Sequence, residues 1–174
     1  RLMQLAQYGK RMFPQVKIFV QNHEVSIQQR FIRRFHPISS KPEISTVLSL
    51  SEAVRRLRVC GLIHGDLCFS NVGINGTGNV CVFDWEPFLR VRTPAGIQLR
   101  SSKYACHQAD VRSGHLTYLS DRYALANLVP QILKGRRLGL KIAKEHSVEI
   151  KQIAELHSDP RLMSRELLKM FNFQ

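Results

Sequence analysis

Three side chains stand out by type and spacing. In His64-Gly65-Asp66-Leu67-Cys68-Phe69-Ser70-Asn71, an aspartate leaves the short apolar pair Leu62-Ile63 and an asparagine follows five residues later. In Val80-Cys81-Val82-Phe83-Asp84-Trp85-Glu86, a second aspartate ends another apolar run, beyond the turn Asn75-Gly76-Thr77-Gly78-Asn79. The pattern predicts two carboxylates and a carboxamide at the ends of neighbouring strands, facing one cleft. Phosphoryl transfer from a nucleotide needs such a set. Mg²⁺ is a hard cation that takes oxygen ligands in octahedral geometry, and Asn71 and Asp84 can supply them. Asp66 can orient an attacking hydroxyl and accept its proton.

The stretch H-G-D-x-x-x-x-N followed by D-W-E resembles the protein-kinase-like superfamily, and most closely its aminoglycoside phosphotransferase and choline kinase branch. The flanks resemble protein kinases instead. Lys103-Tyr104-Ala105-Cys106-His107-Gln108 is similar to a degenerate A-P-E segment, and Ser120-Asp121-Arg122-Tyr123-Ala124-Leu125 to the start of the central helix. Asp159-Pro160-Arg161-Leu162-Met163-Ser164-Arg165-Glu166-Leu167-Leu168 resembles the segment that closes such domains.

The resemblance implies an α+β, protein-kinase-like fold. Residues 1–32 would be a remnant of the N-terminal lobe: the end of helix C, a β-hairpin and the hinge. Residues 33–174 would be a mainly helical C-terminal lobe. The implied activity is ATP- and Mg²⁺-dependent, of the atypical Ser/Thr protein kinase type, transferring the γ-phosphoryl group to a protein hydroxyl. Asp66 and Asn71 would be catalytic, and Asn71 and Asp84 would hold Mg²⁺. Arg30, Phe31, Ile32 and Arg33 would form the hinge to ATP, with Gly73 under the adenine. Asp121 would be structural, its carboxylate binding backbone amides of the 64–71 loop. The Gly-rich phosphate loop and the ion-pairing lysine should precede Arg1, so the chain reads as a cut or processed piece that is nearly inactive alone. The mixture of motifs is similar to compact bacterial effector kinases, which implies a cytoplasmic protein or one delivered into a host cytoplasm. Two rivals stand beside this reading: a small-molecule kinase of the aminoglycoside or choline type, and a non-catalytic kinase-like scaffold that binds an acidic partner.

The elements that would hold these residues follow from periodicity. Leu2, Leu5, Ala6 and Met12 recur at helical spacing, closed by Gly9 and Pro14. Residues 15–20 and 25–32 alternate as strands around the polar turn Gln21-Asn22-His23-Glu24. Residues 33–46 read as a loop or a short helix entry, with Pro37 and Pro42 as breakers. Ser49-Leu50-Ser51-Glu52 fits a capping box that opens a helix ending at Gly61. Val72–Ile74 and Val80–Phe83 form a second hairpin, and residues 86–118 form a long loop. Helices follow over 119–133, 138–157 and 160–171, with Asp159 capping the last and Pro160 at its first position.

Composition narrows the classes. The chain has 174 residues and a net charge of +13, from 26 Lys and Arg against 13 Asp and Glu. No apolar run approaches the roughly 20 residues of a membrane span, and Arg1-Leu2-Met3-Gln4-Leu5-Ala6 does not read as a signal peptide. Four cysteines at Cys60, Cys68, Cys81 and Cys106 form no C-x-x-C pair and read as reduced thiols. The basic residues are scattered rather than striped, which favours a solvated basic surface over a nucleic-acid site. Residues 87–115 carry Arg90, Arg92, Arg100, Lys103 and Arg112 against Asp110. In the protein kinases that the chain resembles, this segment forms the platform for the substrate peptide, so the excess implies a protein substrate with acidic residues near the accepting hydroxyl.

Overall fold

The computed structural model describes residues 44–74, 80–82 and 116–172, together with the backbone of three strands at 16–21, 24–29 and 36–37. It is α+β: five helices and two small antiparallel sheets among the described residues. The expected helix at 2–12, the hinge residues Arg30, Phe31, Ile32 and Arg33, and the segment 83–115 with Asp84 lie outside them.

Strands β1 (Val16–Gln21) and β2 (Glu24–Gln29) pair from Val16↔Gln29 to Gln21↔Glu24. The hairpin is therefore tighter than the sequence suggests. Gln21 and Glu24, expected in the turn, are the last rung of the ladder, and only residues 22 and 23 connect the strands. In the second sheet, β3 (His36–Pro37) pairs with β4 (Val72–Ile74), which pairs with β5 (Val80–Val82). Strand β3 corrects the first part of the stretch 33–46, expected as a loop or short helix entry, and a helix does begin within it at Ile44. Two residues with a proline carry no alternation, and only their partners Gly73 and Ile74 define the strand.

Helix α1 spans Ile44–Val59 and begins five residues before the expected capping box. Ser49 sits inside the helix, and Glu52 pairs forward with Arg55 and Arg56 instead of reaching back. The stop is as expected. Gly61 takes a φ of 73°, Gly61 N–H donates to Arg58 O and Leu62 N–H to Leu57 O, which together close the helix in a Schellman motif. Leu62 then makes one isolated bridge rather than a strand.

Helix α2 (Tyr118–Lys134) is the centre of the described helices. Every residue from Ala124 to Leu133 is buried, as expected of a helix covered on all sides. Around it pack α1, α3 (Arg136–Glu145), α4 (Ser147–Leu156) and α5 (Pro160–Met170). The single helix expected over 138–157 is two, broken at His146. Asp159 caps α5 by accepting from Arg161 N–H at 2.9 Å, with Pro160 at the first position, as the sequence predicts. The Ser51 and Ser164 hydroxyls, 2.6 Å apart, tie α1 to α5 inside the core.

Candidate functional site around Asp66 and Asn71

The first turn of α2 holds the 64–71 loop in place. Thr117 caps that helix by accepting from Leu119 N–H at 3.1 Å. One turn in, Asp121 is 2% exposed and its two oxygens take separate amides of the loop. Oδ2 accepts from His64 N–H at 2.7 Å and Oδ1 from Gly65 N–H at 2.9 Å. A buried carboxylate is costly unless it accepts several strong donors, and this one accepts two from the chain it fixes. The carboxylate-to-backbone contact expected of Asp121 is thus present.

The loop itself is tightly specified. Gly65 has a φ of 78°, a left-handed conformation that a side chain would strain. His64 is fully buried, and its Nδ1 accepts from Asp66 N–H at 3.2 Å, so it anchors the loop from below. That hydrogen bond leaves Nδ1 as the acceptor nitrogen of the ring. A short 3₁₀ turn over Phe69–Asn71, with Asn71 N–H donating to Cys68 O at 3.0 Å, swings Asn71 back towards Asp66.

Asp66 and Asn71 are brought together directly. Asn71 Nδ2 donates to the Asp66 backbone carbonyl at 2.9 Å and to its carboxylate Oδ2 at 3.3 Å. The other carboxylate oxygen, Oδ1, is buried and has no hydrogen-bond partner among the described residues. An ionised carboxylate oxygen left in this state costs about 1–3 kcal/mol or more, which a bound donor would relieve. Asn71 has committed its nitrogen to Asp66, so its own side-chain oxygen is the atom left for a ligand.

The remaining expected residues divide. Gly73 is buried in β4, between Pro37 and Cys81, in the sheet that begins where the 64–71 loop ends. Cys68 is half-buried, with its thiol 3.1 Å from the Ser70 hydroxyl. Among the described residues no cluster of three His, Cys, Asp or Glu side chains could hold a metal. The proposed pair Asn71 and Asp84 needs one residue from outside them.

Sequence reasoning missed Asn127 and Gln131, which line a cleft beside Cys68, Phe69 and Ser70. The available signal was two carboxamides four residues apart inside an otherwise apolar helix. No protein-family model matches the chain, and no curated protein matches it. Among the described residues no helix is long and apolar enough to cross a membrane.

Proposed function

We propose that this chain carries the catalytic lobe of an ATP- and Mg²⁺-dependent kinase that phosphorylates protein hydroxyl groups. The observation that carries the reading is the Asp121–His64–Gly65 clamp, which holds Asp66 with one buried carboxylate oxygen that has no partner among the described residues, beside Asn71. A hydroxyl entering the site would donate to Asp66 Oδ1, which aligns the nucleophile and removes its proton as the bond to phosphorus forms. Asn71, tied to Asp66 through Nδ2, keeps that carboxylate from turning away.

The donor set suits Mg²⁺, since Asn71 and Asp84 offer only hard oxygens. When bound, the ion would neutralise charge on the phosphates of ATP. Gly73, and the hinge expected at Arg30–Arg33, are proposed to contact the nucleotide. The excess of arginine over 87–115 favours an acidic protein substrate over a small cationic alcohol, because cation repels cation.

The test is Mg²⁺-dependent ATP turnover in the full-length protein that carries this sequence. Asp84→Ala should abolish it, because the metal loses its carboxylate. Unchanged turnover in that variant would sink the assignment.

A further inference from the structure

A cleft of about 260 Å³ lies between the outer side of the 64–71 loop, the middle of α2 and the start of α3. Asn127 and Gln131 line it from α2 and are only 4% and 6% exposed. Asn127 Nδ2 donates to Tyr123 O and Gln131 Nε2 to Asn127 O, each at 2.8 Å. A backbone carbonyl can only accept, so these contacts fix which end of each side chain is nitrogen. Asn127 Oδ1 and Gln131 Oε1 are left as acceptors, and neither meets a donor among the described residues. At the rim, the Arg136 guanidinium sits over the Phe69 ring, 5.9 Å from its centre. Among the described residues no carboxylate lines the cleft.

A group that fits must donate towards α2 and accept from Arg136. A carboxylate satisfies the arginine but meets two carbonyl oxygens. An ammonium or guanidinium satisfies the oxygens but meets the arginine. A primary carboxamide satisfies both, with two N–H donors and one acceptor oxygen. We infer that this cleft binds the carboxamide side chain of a glutamine or asparagine in a peptide. The inference rests on the proposed transfer to protein hydroxyls. Cys68, Phe69 and Ser70 wall the cleft and lie between Asp66 and Asn71, so the bound side chain belongs to a residue flanking the accepting hydroxyl. The basic excess over 87–115 attracts the peptide at long range, and the cleft selects one side chain within it.

The experiment is fluorescence-anisotropy binding of acidic peptides to the full chain, without nucleotide. Each peptide has alanine at the acceptor position, and glutamine, glutamate, leucine or lysine is scanned through the flanks. At one position glutamine should bind about tenfold more tightly than the other three, the size of effect expected when two acceptors in a cleft gain their donors. Gln131→Leu should erase that preference, with thermal melting to verify folding. Arg136→Ala, at an exposed position, should reduce it in a protein whose fold is not at risk. No glutamine preference at any position, or a preference untouched by both variants, would overturn the inference. Phosphoryl transfer is measured separately on serine-bearing peptides. Transfer without glutamine preference removes this inference alone, whereas glutamine-selective binding without transfer leaves a peptide site and removes the kinase reading.

Discussion

Asp121 decides whether Asp66 is held or merely present. Its two oxygens accept from consecutive amides, so one side chain orients the backbone immediately before Asp66. Asp121→Asn keeps the shape but replaces one acceptor with an N–H that faces another N–H. That change should cost about 1–3 kcal/mol, the range for stranding a buried donor. A chemical-denaturation midpoint shift with an unchanged slope would check it, and hydrogen exchange at His64 and Gly65 should speed up in the variant. A variant as stable and as protected as the native protein would show that the clamp is incidental. Glu52 offers a second test at this scale. The Arg55 guanidinium, bonded at 2.7 and 2.8 Å, draws its carboxyl down from 4.5 to about 2, with Arg56 helping and burial opposing. A depressed carboxylate stabilises the fold above its unfolded value and loses that contribution as pH falls through the folded one. The melting temperature of Glu52→Gln should therefore lie below the native value near neutral pH. The gap should narrow below about pH 4.5 and vanish near pH 2. Because the pair is partly exposed, a difference of only about 0.5–1 kcal/mol is expected.

At the scale of elements, close packing of α3 on α2 shapes the cleft beside the loop. A Cβ at Gly139 would lie 2.2 Å from Gln131 Cα and 2.4 Å from Pro130 O, both backbone atoms that cannot turn aside. Helix propensity alone would make Gly139→Ala stabilising by about 1 kcal/mol. Overpacking costs about 1–3 kcal/mol and should win, lowering the melting temperature. A higher one would show that the two helices separate freely. The same elements explain what the sequence could and could not reveal. Helix α5 was legible because Asp159 and Pro160 mark its start chemically. The end of α1 was legible because Gly61 is the residue a left-handed stop requires. Its start was hidden: Ile44, Thr46 and Val47 are β-branched, and Ser49 with Glu52 imitates a cap one turn too late. The break at His146 was hidden because Gly139, Ala143, Ile150 and Ala154 are buried at spacings of four, seven and four. Seven residues are two helical turns, so the buried face runs on across the interruption. In the site, Asp66, Asn71 and Asp121 were legible from motif spacing. Asn127 and Gln131 were not, because their importance depends on which backbone carbonyls take their nitrogens.

For the whole molecule, the central helix, the clamp and the loop form one chain of support from the core to Asp66. The core under α2 fixes Asp121, Asp121 fixes His64 and Gly65, and the loop then returns Asn71 to the Asp66 carboxylate. On the proposed function the accepted proton therefore goes to Asp66 and to no other described side chain. The most direct measurement is the initial rate of γ-phosphoryl transfer from Mg²⁺-ATP to serine-bearing acidic peptides, using the full-length protein and its Asp66→Asn variant. Asparagine fills the same space and can still meet Asn71, but it cannot take a proton. The expected fall is about 10²–10⁴-fold, the contribution of a positioned general base, with the fold and peptide binding retained. Equal rates in the two proteins would contradict it.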